Sequence, residues 1–256
     1  LSHIPGPIGV FDSGYGGLTI LEKIREVLPE YDYIYLGDNA RAPYGTRSFE
    51  IVYEFTLQAV NKLFEMGCHL VILACNTASA FSLDHLREHY GEKFPIIGLV
   101  PALKPAVLQT QSKSVAVLAT PATFRGKLIK DVIKNFAEPL GVNVSTVTCL
   151  DLVPLVESGQ QNSQESHQLL QQLLDPIVDH GVDFLVLGCT HYPLLMNSIV
   201  KNVPDGVRIV PQGQYVANSL HEYLNRHPEL ERNITQNGTC QYLTTESEEK
   251  FKESAQ

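Results

Sequence analysis

Two cysteines in this chain stand in matching surroundings. Cys75 closes the stretch Gly67-Cys68-His69-Leu70-Val71-Ile72-Leu73-Ala74-Cys75 and is followed by Asn76-Thr77. Cys189 closes Gly181-Val182-Asp183-Phe184-Leu185-Val186-Leu187-Gly188-Cys189 and is followed by Thr190-His191. Each stretch is a glycine, an apolar run, a small residue, and a thiol where the chain turns polar. Two thiols presented in equivalent places can form a disulfide, bind a soft metal or move protons. Redox pairs usually lie close in sequence as Cys-x-x-Cys, and a soft metal wants more ligands than these motifs supply. Proton transfer uses the arrangement well. A thiolate on one side of an sp³ carbon removes a proton, a thiol on the other side returns one, and the centre inverts. An unperturbed thiol titrates near ~8.5, so some thiolate exists at neutral pH. Asp12 or His191 is suited to hold the proton balance between the two cysteines. A carbanion beside a carboxylate needs hydrogen-bond donors, and Ser13, Asn76, Thr77 and Thr190 supply them next to the thiols. The plainer role of those four is turn-making and helix capping. Cys68, Cys149 and Cys240 read as small hydrophobes.

The elements that must position these groups alternate between strand and helix. A short continuous apolar run between a glycine and a polar turn reads as a strand buried on both faces, as in a parallel sheet. Pro7–Phe11 is such a strand, broken at Asp12-Ser13-Gly14-Tyr15-Gly16-Gly17 and followed by a helix through Leu18, Leu21, Ile24 and Leu28. Ligands of open α/β sheets bind at strand C-terminal ends, where Asp12 and Ser13 lie. Tyr31–Leu36 is a second strand, leading into the loop Gly37–Gly45, where Asp38 reads as a turn cap and Arg41 as solvated. Ile51 to Phe64 is a helix stopped by Gly67. The first thiol strand comes next, then a helix from Ala78 and a strand at Pro95–Val100. The series then begins again. Strands at Ser114–Leu118 and Val142–Thr148 frame a helix through Phe124, Leu128 and Ile133. A stripe at Leu169, Leu170, Leu173, Leu174 and Ile177 makes another helix, which Pro176 should kink or split. The second thiol strand follows, and Val207–Val210 is read as the last strand. Thr245 and Glu248 have the spacing of a capping box opening a terminal helix.

The two halves thus carry one order of elements, and the two thiols lie 114 positions apart, close to half of the 256 residues. This predicts an α/β fold of two similar lobes, each a mostly parallel sheet flanked by helices, with the active site in the cleft between them. Residues 1–100 form the first lobe, 101–210 the second, and 211–256 a C-terminal segment returning to the first. A hydrophobic content of 44% is enough for a sizeable core. The net charge of −9 argues against nucleic acid as a partner. No apolar run approaches the ~20 residues of a membrane span, and Leu1–Pro7 lacks the basic and apolar regions of a signal peptide. Five cysteines without such a signal do not read as a disulfide framework, and no zinc-ligand spacing occurs.

Four motifs in order resemble the cofactor-independent glutamate racemases of the aspartate/glutamate racemase superfamily: Asp12-Ser13-Gly14-x-Gly16-Gly17-Leu18, Pro43-Tyr44-Gly45, Ala74-Cys75-Asn76-Thr77-Ala78 and Gly188-Cys189-Thr190-His191-Tyr192-Pro193-Leu194. The resemblance implies interconversion of L- and D-glutamate without pyridoxal phosphate or metal, in the cytoplasm, supplying D-glutamate for bacterial peptidoglycan. It implies Cys75 and Cys189 as the two acid/bases, with Asp12 assisting Cys75, and His191 and Glu157 assisting Cys189. Ser13, Asn76, Thr77 and Thr190 would bind the amino acid, Pro43, Tyr44 and Gly45 would line the pocket, and Thr120 and Thr123 match the family's threonines after the fifth strand. A homodimer is a further family expectation. Phe124-Arg125-Gly126-Lys127 and Pro211-Gln212-Gly213 depart from the family's pattern. The alternatives are a racemase of aspartate or another acidic amino acid, and a non-catalytic protein whose cleft captures an amino acid or a partner.

Overall fold

The computed structural model describes residues 4–178 and 180–254. Along the chain its elements are β1 (Ile8–Asp12), α1 (Leu18–Val27), β2 (Tyr33–Gly37), α2 (Phe49–Glu65), β3 (Leu70–Leu73), α3 (Asn76–Tyr90), β4 (Ile96–Gly98), α4 (Leu103–Gln109), β5 (Ser114–Ala119), α5 (Pro121–Arg125) and α6 (Lys127–Val132). They continue as β6 (Asn143–Thr148), α7 (Leu152–Glu157), α8 (Gln164–Val178), β7 (Phe184–Leu187), α9 (Met196–Lys201), β8 (Arg208–Val210), α10 (Gly213–Arg226), α11 (Pro228–Glu231), β9 (Cys240–Thr244) and α12 (Glu248–Ser254). The chain divides into two compact units, one made of Leu1–Leu99 and Gly213–Gln256, the other of Val100–Gln212.

The first unit holds a sheet in the order β4-β3-β1-β2-β9, and the second a sheet in the order β6-β5-β7-β8. Every neighbouring pair in both sheets is parallel. Written from the other end, the second sheet is β8-β7-β5-β6. That is the order β4-β3-β1-β2 again, with β9 as an addition to the first unit. The thiol strands β3 and β7 therefore occupy the same place in their sheets, each next to the strand that opens its series. β1, β2 and β3 are buried along their whole length, which is why their sequences are apolar runs rather than alternations. One face of the first sheet buries Ile8, Val10 and Ile72 against Ile20, Leu21 and Ile24 of α1 and Ala217, Leu220 and Leu224 of α10. The chain enters each thiol strand through a glycine with positive φ, Gly67 at +89° and Gly181 at +63°. A side chain there would meet the left-handed penalty, so each glycine ends one element and releases the next.

Several expectations are corrected. Val207–Val210 is not the last strand: β9 pairs with β2 from Tyr33↔Cys240 to Gly37↔Thr244. The helix expected through Phe124, Leu128 and Ile133 is divided, because Gly126 takes an extended conformation (ψ 151°) between α5 and α6. Pro176 does not split α8, which runs on to Val178; so near the helix end, the proline removes a single N–H from the ladder. The terminal helix is not opened by Thr245. Ser247 Oγ accepts the N–H of Lys250 at 3.3 Å, while the Thr245 hydroxyl is committed to Asp38 at 2.9 Å. Among the described residues no helix is long and apolar enough to cross a membrane.

Candidate active site

At the C-terminal end of the first sheet, β1 and β3 run side by side with Phe11 opposite Leu73. The Ala74 N–H still donates to the Phe11 carbonyl at 2.6 Å, so Asp12 and Cys75 leave the sheet as neighbours. Asp12 is fully buried, and its Oδ2 accepts the Gly14 N–H at 2.9 Å. Ser13 Oγ lies 3.4 Å from Cys75 Sγ. Cys75 is itself the cap of α3, its sulfur accepting the Ala78 N–H at 3.4 Å. Asn76 and Thr77 are the first two residues of that helix and are buried. A 15-residue helix brings the positive end of its dipole to the sulfur, and an N–H aimed at sulfur favours thiolate over thiol.

The loop after β2 is tied to this corner by Asp38. Its N–H donates to the Asp12 carbonyl at 2.9 Å. Its buried carboxylate accepts from Arg41 Nε at 2.7 and 2.9 Å, from the Thr245 hydroxyl at 2.9 Å, and from the Tyr44 hydroxyl. Arg41 also lies over the Phe55 ring at 3.9 Å. Asp38 and Arg41 are thus more than a turn cap and a solvated cation. Tyr44 is buried, with its ring 6.2 Å from that of Phe11 and 5.9 Å from that of Phe55. Burial, and then the Asp38 charge, push its hydroxyl far above the usual phenol range, so it remains a donor. Pro43 and Gly45 flank it, half-buried.

At the matching end of the second sheet, Cys189 leaves β7 and is followed by a short 3₁₀ turn, Tyr192–Leu195, in place of a long helix. Its partner is a side chain. His191 Nδ1 lies 3.8 Å from Cys189 Sγ, and His191 Nε2 donates to Glu157 Oε1 at the end of α7. His191 is 2% exposed. Burial works against a charged ring, but the bonds to Cys189 and Glu157 outweigh it and hold the pKa well above the ordinary imidazole value. The Tyr192 hydroxyl donates to the Cys149 carbonyl at 3.3 Å and anchors the turn. Thr120 and Thr123, buried after β5, share a hydroxyl bond of 3.2 Å, and Thr190 is buried beside Cys189.

The residues singled out in the sequence therefore gather as two clusters, one on each unit. The remaining thiols differ in kind. Burial pushes Cys68 up to about 12 and also raises Cys149 and Cys240, as expected of cysteines that only fill space. Sequence reasoning missed the Asp38 carboxylate as the hub of its loop, and Thr245, which reaches it from 207 positions away. Among the described residues, no three His, Cys, Asp or Glu side chains are placed to hold a metal ion.

Residues 8–220 match the family model described as Asp/Glu/Hydantoin racemase. A glutamate racemase of Deinococcus radiodurans is 49% identical over 93% of this chain and 81% of the relative. Among solved structures, glutamate racemase isoform RacE1 from Bacillus anthracis superposes with a TM-score of 0.84 at 30% identity, covering 98% of this chain and 92% of that one. A glutamate racemase from Francisella tularensis, solved in complex with D-glutamate, gives a TM-score of 0.81 at 30% identity over 98% and 92% of the two chains.

Proposed function

The chain belongs to the Asp/Glu/hydantoin racemase family and to its glutamate racemase members, and from that premise we propose that it interconverts L- and D-glutamate by proton transfer between Cα and two cysteines. The observation that carries the reading is the pair of strands β3 and β7, equivalent in their sheets and each ending in a cysteine beside a group that manages charge. In the forward direction one cysteine, as thiolate, takes the α-proton. The electron pair left on Cα is shared with the α-carboxylate, and the other cysteine, as thiol, delivers its S–H to the opposite face. The two sulfurs end with exchanged protonation, and the reverse reaction restores it. Because substrate and product are mirror images, a repeated architecture with one base on each unit suits the task.

The helix dipole and the Ala78 N–H support a thiolate at Cys75, with Asp12 close by to accept or return a proton. His191, held charged by Glu157, supports a thiolate at Cys189 and can reprotonate it. Ser13, Asn76, Thr77, Thr190, Thr120 and Thr123 are the donors we assign to the amino acid, with Pro43, Tyr44 and Gly45 along its side. The product D-glutamate would serve peptidoglycan synthesis in the cytoplasm, with the chain acting as a homodimer.

The test is proton NMR of L-glutamate with the pure protein in D₂O, without added cofactor, beside circular dichroism. Loss of the α-proton signal with ellipticity decaying to zero is the expected result. Exchange with ellipticity retained would mean that a single thiol works. No change with glutamate, but change with aspartate, would move the substrate; no change with either would leave a protein that only binds.

A further inference from the structure

Beyond the two thiol corners, the chain's own C-terminal strand is fastened onto the loop of the first unit that carries Pro43-Tyr44-Gly45. β9 pairs with β2 as far as Thr244↔Gly37, and the Thr245 N–H still donates to the Gly37 carbonyl at 3.2 Å. The chain then delivers two hydroxyls to the turn at Asn39–Arg41. Thr244 Oγ1 donates to Asn39 Oδ1 at 3.0 Å. Thr245 Oγ1 accepts the Ala40 N–H at 3.1 Å and donates to Asp38 Oδ1 at 2.9 Å. The other Asp38 oxygen holds the Tyr44 hydroxyl and Arg41 Nε. One hydroxyl thus serves as donor and acceptor at once, and through Asp38 it fixes the side chain of Tyr44. The residues after it add a second tie: Glu246 accepts from the Tyr15 hydroxyl, and the Phe251 ring lies 5.4 Å from that of Tyr15. Tyr15 belongs to the turn that follows Asp12.

We propose that Thr245 is a positioning residue for the substrate loop, acting through Asp38 on Tyr44, so that the C-terminal strap sets substrate affinity without entering the chemistry. This rests on the reading that Tyr44 faces the amino acid. Thr245 itself is exposed, so losing its hydroxyl leaves the core intact while releasing one constraint on a buried carboxylate. Small displacements of positioning groups are felt strongly by a bound substrate.

The experiment compares wild type, T245V, T245S and T239V as full chains. Thr239 pins the start of β9 through Asp32 and does not touch Asp38. The expected result is a KM for glutamate raised about fivefold in T245V with kcat within about twofold, and KM restored in T245S. T239V should lower thermal stability and leave KM in place. Should T245V not fold, T245A removes the same hydroxyl without adding a methyl group. KM unchanged in T245V, or an equal rise in T239V, would overturn the proposal. Loop order is also read without activity, by trypsin cleavage after Arg41 and Arg47. Faster cleavage in T245V than in T239V supports the clamp, and equal rates defeat it. A wild-type chain that racemises nothing defeats the racemase reading instead, and the cleavage comparison still decides the clamp.

Discussion

The two thiol corners share a position in the fold and differ in how charge is managed. Cys75 and Cys189 each follow the strand beside the opening strand of a parallel sheet. Cys75 then caps a long helix, with a backbone N–H on its sulfur. Cys189 has a short turn behind it, and a buried imidazole bonded to the half-buried Glu157 carboxylate takes the helix's place. A repeated scaffold can thus deliver two equivalent atoms while the groups placed beside them diverge. A helix dipole is fixed at every pH, whereas an imidazolium can be lost by titration. The two corners should respond alike to removal of the sulfur and unlike to everything else.

The largest effect tests the likeness. C75S and C189S should each lower racemisation by at least about 10³-fold with circular dichroism unchanged, as removal of a required acid/base predicts. Survival of activity in either variant would break the equivalence of the two strands. The next effect tests the difference. H191N should lower turnover by about 10²-fold, and, on the proposed two-base reading in which each sulfur serves one face, it should slow α-proton exchange from one glutamate enantiomer more than from the other. Equal slowing of both enantiomers would show His191 acting on the fold rather than on Cys189.

The charge on His191 also makes a stability prediction. Its folded pKa is raised, by the bonds to Cys189 and Glu157 acting against burial. A raised folded value means that its contribution to stability is complete below the unfolded imidazole range near ~6.5 and is lost as pH rises through the folded pKa. E157Q removes one of the two supports and should start that loss at lower pH. Melting temperatures of wild type and E157Q from pH 6 to 10 would diverge on the alkaline side; parallel curves would mean that Glu157 does not help to hold the charge on the ring.

Much of this contrast was legible in the sequence. The apolar runs ending at Cys75 and Cys189 identified both strands, because strands buried on both faces leave an unbroken apolar signal. His191, two residues from its thiol, was found by proximity. The Glu157 contact was available only by resemblance, since no local pattern joins it to a residue 34 positions away. β9 was missed because Cys240–Thr244 is an edge strand with no fully buried residue, half-buried at Cys240, Leu243 and Thr244 and exposed at Gln241 and Tyr242, so its apolar signal is weak. α10 had a signal that went unread, Ala217, Leu220 and Leu224 at helical spacing on the face that packs against α1. Asp38 looked like a turn cap because its true partners include a threonine brought in by that unseen strand.

The smallest effects on catalysis are expected at the opposite ends of the sheets, where the two units again do the same thing. Asp32, just before β2, accepts from the N–H groups of Asn237 and Thr239 and from both of their side chains. Asp183, just before β7, accepts from Thr110 and from the N–H groups of Gln111 and Ser112. Burial alone would raise both carboxyls, but these hydrogen bonds outweigh it and hold both below the usual carboxylate range. A depressed folded pKa gives stability that is complete above the unfolded value near ~3.9 and is lost as pH falls through the folded one. D32N and D183N should each cost about 1–3 kcal/mol at neutral pH, because an amide nitrogen then faces donors, and should reduce the acid sensitivity of the melting curve. Racemisation by the folded variants should stay within about twofold of wild type. A D183N enzyme that folds yet loses activity as H191N does would mean that β7 transmits strain from its foot to Cys189, and the separation of holding end from reacting end would fail for the second unit.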